Sequence, residues 1–375
     1  MSEFITPDDE SLPIILADSF DVDALHQMCA QTTAVVSTVG PFVNYGTPLV
    51  EACIAEGTNY CDSTGETTWI KRLIDTLEDK AKANGVRLVP SCGYDSLPSD
   101  IGALVTVNGI KADKGNDAKI GKVTHYIGPM NGDASGGTLH TMMNLFENEE
   151  KSQLIKTMGN PYALCPEGTK GKDTGDRKWF SSDKVSGGYM APWVMSSANE
   201  RVVRRSWYQN AYGTSFQYEE VLLLSSFIKG LLVSIGISLT VALVLIPPVR
   251  WLITKYVLPD AGTGPSRKAR DKGYAISYMH SKSGGDNYLT TIKISNGDVG
   301  YKSTSMMLGE CVIALARSES QEGGFFTPAS CPGLGLDIRD TLAEKCSITF
   351  DFEKVKSSNE LKTKIVAYDM KVARL

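Results

Sequence analysis

Residues 34–66 read AVVSTVGPFVNYGTPLVEACIAEGTNYCDSTGE, and the order of apolar runs and breakers in them sets the fold. Ala34–Val36 is a short apolar run that breaks at Ser37, Thr38 and Gly40-Pro41. A helical pattern over Pro48–Glu56 follows, then Gly57, then an extended Asn59–Cys61 ending at Asp62. Strand, glycine turn, helix, strand is one βαβ unit with its polar residues at the strand ends. In open parallel sheets the ligand crevice lies outside the carboxyl ends of the strands, so the stretch places a small-molecule site.

The alternation continues on both sides. Pro13–Ala17 reads as a strand, Val22–Ala30 as a helix, Thr68–Asn84 as a helix, Val86–Val89 as a strand and Pro98–Val107 as a helix. Strands separated by such helices predict a parallel sheet with right-handed crossovers. From about residue 119 the pattern changes. Lys119–Gly128, Tyr274–His280 and Tyr288–Ser295 read as longer alternating strands, which suit an antiparallel sheet with one covered face. SGGTLHTMMNLFEN, opening on Ser135-Gly136-Gly137-Thr138, reads as a capped helix, and Ser303–Ala316 as another. The expected class is α/β: residues 1–107 form a partial Rossmann-like domain, and 108–220 with 262–375 an α+β substrate domain. Residues 221–261 form a hydrophobic insert between the two parts of the second domain.

With 375 residues, 42% hydrophobic and 22% charged, the chain has room for two domains and a sizeable core. A net charge of −5 and a pI near 5.6 give no footprint for nucleic acid. The eight cysteines have no metal-type spacing and read as buried reduced thiols, which favours a cytosolic setting. No P-loop, GxSxG, HExxH or zinc pattern is present, and no metal is expected.

From Gly230 to Val249 run twenty residues without a charge, GLLVSIGISLTVALVLIPPV, long enough to span a bilayer. A buried core helix is the plainer reading. The run is apolar all round, Pro247-Pro248 ends or kinks it, and Trp251 and Tyr256 suit an interfacial belt. Basic residues stand on both sides: Arg201, Arg204, Arg205 and Lys229 before it, Arg250, Lys255, Arg267, Lys268 and Arg270 after it. Positive charge at both ends favours insertion into one leaflet, from the cytosolic face, over a simple span.

Candidate site residues cluster at the predicted strand ends. The Thr38-Val39-Gly40-Pro41-Phe42 turn offers backbone amides and a hydroxyl for ribose or phosphate oxygens, although an ordinary βα turn looks the same. Asp18 is placed to accept hydrogen bonds from an adenosine or to cap the helix from Val22. Asp62 suits substrate orientation or proton transfer, while Glu66 reads as a cap for the Thr68 helix. Cys92, Tyr94 and Asp95, after the next strand, are expected to face the same crevice. The four histidines, His26, His125, His140 and His280, form no visible cluster, so a Cys–His nucleophile has no support.

Five ordered motifs from about residue 13 to 330 resemble saccharopine dehydrogenase-like oxidoreductases, which include bacterial trans-acting enoyl reductases. They are VGPFVNYGTPLVEACIAEGTNYCDSTGE, CGYDSLPSDIGA, SGGT, GPSRKARDKGY and GDVGYKSTSMMLGE with GGFFTP, and the apolar insert sits where eukaryotic members carry one. The resemblance implies a Rossmann domain for NAD(P), NADP being the expected form, and hydride transfer on a small or lipid-like substrate. It places Thr38, Val39, Gly40, Pro41 and Phe42 against the cofactor, Asp18 near its adenosine half, and Tyr45, Asp62, Cys92, Tyr94 and Asp95 on the substrate side. It carries over no catalytic acid. It further implies a place on membranes or lipid droplets, a role in lipid or glycolipid metabolism, and compatibility with a homodimer.

The family opens with a strand and a GxxGxxG-type turn that holds the pyrophosphate. Nothing before Pro13 supplies one, so the reading expects a truncated amino terminus and a sheet short of its first strand. Two functions stay open for this chain: a membrane-associated NAD(P)-dependent oxidoreductase, and a non-catalytic scaffold on a membrane or lipid droplet that keeps the fold.

Overall fold

A computed structural model describes residues 14–131, 151–256 and 264–372. Among them are two sheets. The first has the order β1-β2-β3-β10, all parallel: β1 Ala34–Ser37, β2 Asn59–Asp62, β3 Arg87–Val89 and β10 Gly324–Phe325. Helices α1 (Val22–Cys29), α2 (Phe42–Glu56), α3 (Thr67–Ala83) and α4 (Leu97–Lys114) alternate with these strands, as the sequence predicts. Gly57 ends α2 at φ 73, a left-handed conformation that glycine adopts without strain. Asp21 caps α1 by accepting the Ala24 amide.

Three expectations are corrected here. Residues 14–17 do not form a strand: no described strand pairs with the outer edge of β1, and Ile14 and Leu16 stay exposed. Helix α2 begins six residues earlier than its apolar pattern suggests, directly after Pro41, because Glu66 supplies the acceptors for its first amides. Residues beyond 262 are not confined to the second sheet, since Gly324–Phe325 extend the first one beside β3.

The second sheet is mixed, with the order β11-β9-β8-β4-β7-β6-β5. Its strands are β4 Lys122–Asn131, β5 Ser181–Ser182, β6 Tyr189–Pro192, β7 Gln217–Leu224, β8 Tyr274–Ser283, β9 Asp286–Ile294 and β11 Ile348–Val355. All neighbours are antiparallel except β4 and β7, which the crossover through α5 (Lys151–Gly159) and α6 (Ser196–Gln209) makes parallel. Both faces are covered, not one. Helix α4 lies on one face: a Cβ on Gly102 would collide with Ile292 and Met279, and one on Gly109 with the Phe352 ring. Leu361 and Ile365 of α12 (Ser358–Val372) pack on the other face with Tyr126, Tyr278 and Leu289. That double cover explains why β8 is buried along nearly its whole length.

The apolar insert forms α7 (Phe227–Val244) and α8 (Pro247–Tyr256), held at its base by edge-on contacts of Phe227 with Phe180 and Tyr189. The remaining helices are α9 (Arg267–Asp271), α10 (Thr304–Arg317) and α11 (Leu336–Cys346). Three of the four basic residues before the insert are not free to flank a membrane, and only Lys229 stays exposed at its start. Arg201, Arg204 and Arg205 lie on α6, each at least 95% buried and paired with Asp176, with Glu200 and Asp173, and with Glu78 respectively. All eight cysteines are free and buried. The predicted helix over residues 135–148 lies outside the described residues.

Candidate active site

Because β1, β2 and β3 are parallel, the turns after them emerge at one edge of the first sheet. After β1, Thr38, Val39 and Gly40 are exposed and Pro41 half-buried. Phe42 is buried against Trp69. The amides of Phe42 and Val43 donate to the Glu66 carboxylate at 2.8 and 2.6 Å, so Glu66 caps α2 and not the helix that follows it. A carboxylate already seated at that amino terminus leaves no room for a phosphate and would repel one. This narrows the turn to uncharged contacts. Asp18 is exposed and accepts the Phe20 amide at 2.8 Å, leaving the α1 cap to Asp21. Phe20 touches Tyr45 of α2, ring centres 5.8 Å apart, which brings the Asp18 turn beside the entrance of α2.

Asp62, at the end of β2, is fully buried. It accepts hydrogen bonds from Thr64 N, Ser91 N and the Tyr60 hydroxyl at 2.9, 3.0 and 2.8 Å. Burial pushes its carboxyl up to about 6 despite these donors. Its work is to tie the turns after β2 and β3 together, holding Ser91 at φ 66, a strained value for a residue with a side chain. Cys92 departs from expectation. Its thiol points into the core, 3.3 Å from the Val89 carbonyl, and burial raises it well above the usual thiol range. The turn aims the chain so that Tyr94 and Asp95, not Cys92, reach the crevice. Gly93 makes that possible, since a Cβ there would press on Ser63 and Thr304 at 3.2 Å.

Tyr94 and Asp95 line one wall of a small pocket between the turn after β3 and the second sheet. The opposite wall is one face of the second sheet, read off at every second residue: His125 and Ile127 of β4, Glu220 of β7, Ala275 and Ser277 of β8, Ile292 and Ile294 of β9. Parallel pairing sets His125 directly beside Glu220. His125 Nδ1 lies 3.0 Å from the Tyr218 hydroxyl and 3.3 Å from Glu220 Oε2, and Nε2 lies 2.8 Å from Ser277 Oγ. Glu220 Oε2 also accepts from Ser99 at 2.8 Å and Tyr218 at 3.1 Å, and Oε1 from Asn199 at 2.7 Å. Asp95 is half-open to the pocket, and the protein around it together with nearby Glu220 raises its carboxyl to about 6. Met195, also in the lining, would meet a Cβ on Gly65 at 3.5 Å, so the turn after β2 borders the same pocket.

The His125–Glu220–Ser277 cluster escaped sequence reasoning. Its members lie 95 and 152 positions from His125, and only the pairing of β4 with β7 and β8 brings them together. Behind it, Glu200 of α6 accepts the Glu220 amide at 2.9 Å and the Arg204 guanidinium at 2.6 Å; burial raises its carboxyl to about 8 against the pull of Arg204.

Residues 11–89 match the saccharopine dehydrogenase NADP-binding domain. A Mycobacterium tuberculosis protein with the provisional name trans-acting enoyl reductase is 32% identical over 350 residues, covering 87% of this chain and 82% of its own length. The trans-acting enoyl reductase of Mycobacterium ulcerans is 31% identical over the same shares of the two chains. The chain belongs to the saccharopine dehydrogenase-like oxidoreductases. A solved apo saccharopine dehydrogenase (L-Glu forming) from Saccharomyces cerevisiae overlays at a TM-score of 0.46, with 13% identity over 90% of this chain and 88% of that one. In this member of the family the later motifs are close backbone approaches. A Cβ on Gly273 of GPSRKARDKGY would sit 2.1 Å from Asp298 Cα, and one on Gly323 of GGFFTP 2.3 Å from the Ala81 carbonyl. Asp100 of CGYDSLPSDIGA bonds to Ser206 and, at 2.8 Å, to the Ala329 amide; burial raises it to about 7.

Proposed function

We propose that this chain is an NADP-dependent oxidoreductase acting on the polarised double bond of a small or lipid-like substrate, at a membrane or lipid-droplet surface and within lipid or glycolipid metabolism. The observation that carries the reading is the pocket itself. It opens beside the turns of a sheet whose sequence matches an NADP-binding domain, and it sets His125, Glu220, Ser277 and Asp95 beside apolar Ile127, Ala275, Ile292 and Ile294. The bound nicotinamide would supply the hydride. Thr38 and Val39 would contact its sugar and ring, and Asp18 with Phe20 its adenosine half; Tyr45, expected on the substrate side, would join them there because its ring touches Phe20. Gly40 fits such a neighbour: a Cβ there would meet only the Phe42 ring, at an ordinary 3.6 Å, so the fold itself makes no use of the missing side chain.

Fluorescence titration with NADPH tests this. Wild type should bind saturably, and Gly40→Ala should bind about tenfold more weakly, a change of about 1.4 kcal/mol, with an unaltered melting curve. No saturable binding by wild type would overturn the enzyme reading and leave the scaffold.

The membrane part rests on α7. Only 17% of its 18 residues are buried, and Leu232, Ile235 and Leu239 are exposed. At 1.5 Å per residue α7 is about 27 Å long and α8 about 15 Å, so α8 is too short to bring the chain back across a core of about 30 Å. Strands β7 and β8, before and after the insert, both border β4 in one sheet. That supports a helix pair lying in one leaflet, with exposed Trp251 and Tyr256 at its rim and Lys255 4.8 Å above the Trp251 ring.

A further inference from the structure

We propose that Ser277, His125 and Glu220 form a proton relay, and that the Ser277 hydroxyl is the group that protonates the carbonyl oxygen of an α,β-unsaturated carbonyl substrate. The assignment rests on the oxidoreductase reading above and names the acid of that reaction. Three observations support it. The relay occupies the pocket face of the second sheet, where the neighbouring inward positions Ile127, Ala275, Ile292 and Ile294 are apolar. Burying a histidine and a glutamate there, at 2% and 0% side-chain exposure, gives the fold no packing advantage over apolar residues of similar size. Each contact also points one way. Glu220 holds Nδ1 from behind, leaving Nε2 to face Ser277, and Ser277 lines the pocket.

The step balances as follows. The substrate's β-carbon gains a hydride, with its two electrons, from the reduced nicotinamide. The double-bond pair then shifts along the conjugated system to the carbonyl oxygen, which takes the proton from Ser277 Oγ. Oγ recovers a proton from Nε2 of the imidazolium, and Nδ1–H stays between Tyr218 and Glu220. The enol relaxes to the saturated carbonyl by proton exchange with water, and after product leaves, solvent returns the Nε2 proton through Ser277.

The probe is trans-cinnamaldehyde labelled with 13C at its carbonyl, bound to the full cofactor-free chain and followed by isotope-edited infrared spectroscopy. In wild type the carbonyl band should lie well below its position in hexane, because the oxygen accepts a hydrogen bond. Ser277→Ala should return it to the hexane position, His125→Gln should give an intermediate shift, and Asp95→Asn should leave it unchanged. An identical band in wild type and Ser277→Ala, loss of the shift in Asp95→Asn, or failure of the probe to bind would each overturn the assignment. NADPH titration of the same samples separates the two readings: lost nucleotide binding counts against the oxidoreductase, whereas an unshifted carbonyl with nucleotide binding intact counts against the relay alone.

Discussion

Replacing Glu66 by alanine should both destabilise the protein and loosen the turn at residues 38–42. The Glu66 side chain is completely buried and accepts the first two amides of α2, one at each carboxylate oxygen. Hydrogen bonds to a charged group contribute about 1.5–3 kcal/mol each, and amides stripped of their partner in a buried place cost a similar amount, so losing both amounts to roughly 3–6 kcal/mol. The favourable placement of negative charge at a helix amino terminus adds up to about 2 kcal/mol in a partly buried setting. Glu66→Gln keeps the shape but offers one acceptor and sets an NH2 group against an amide, so it should lose roughly half as much. Urea unfolding followed by circular dichroism gives the loss from the shift in midpoint at constant slope. NADPH titration of the same variants should show weaker binding, because the turn loses the anchor that joins it to the loop after β2. A loss below about 1 kcal/mol for Glu66→Ala would refute the capping account.

Other expectations can be checked alongside. Arg204→Ala leaves buried Glu200 and Asp173 without their shared cation and should lower stability by about 3–5 kcal/mol, measured by the same urea titration. Asp100 has a folded-state pKa raised to about 7, so its stabilising share is full below the ordinary carboxyl range near 4 and is lost as pH rises through about 7. Asp100→Asn should therefore flatten the fall in melting temperature between about pH 4 and pH 7, and a profile that matches wild type would count against a buried, raised carboxyl. Exchanging Leu232, Ile235 and Leu239 for serine should move the protein from floating liposomes to the soluble fraction in a density gradient, with the melting curve preserved because all three side chains are exposed.

Local chemistry made the first sheet readable. β1 was bounded correctly because a β-branched run ended at Ser37, and α2 stopped where Gly57 takes a left-handed φ that the sequence signals on its own. Features set by distant partners were hidden. Helix α6 carries Glu200, Arg201, Arg204 and Arg205 inside the protein, so its arginines read as a basic flank of the apolar insert until their partners Asp173, Asp176 and Glu78 are in place. The turn after β3 was recognised as part of the site, but a single strained residue, Ser91, decides that Cys92 turns inward while Tyr94 and Asp95 line the pocket. His125 looked solitary because its relay is assembled by strand order alone.

Strand β10 has a consequence for how the chain is made. Phe325 pairs with Leu88, and Arg87 reaches the carbonyls of Leu315 and Pro332, 228 and 245 positions away. A ribosome will have released β1, β2 and β3 long before the strand that flanks β3 exists. Until then the β3 edge stays open to pairing with other chains, a state that favours chaperone capture over early independent folding. A fragment that stops before residue 324 should keep that open edge permanently, so the nucleotide-binding half is not separable by cutting the chain at the boundary its sequence suggests.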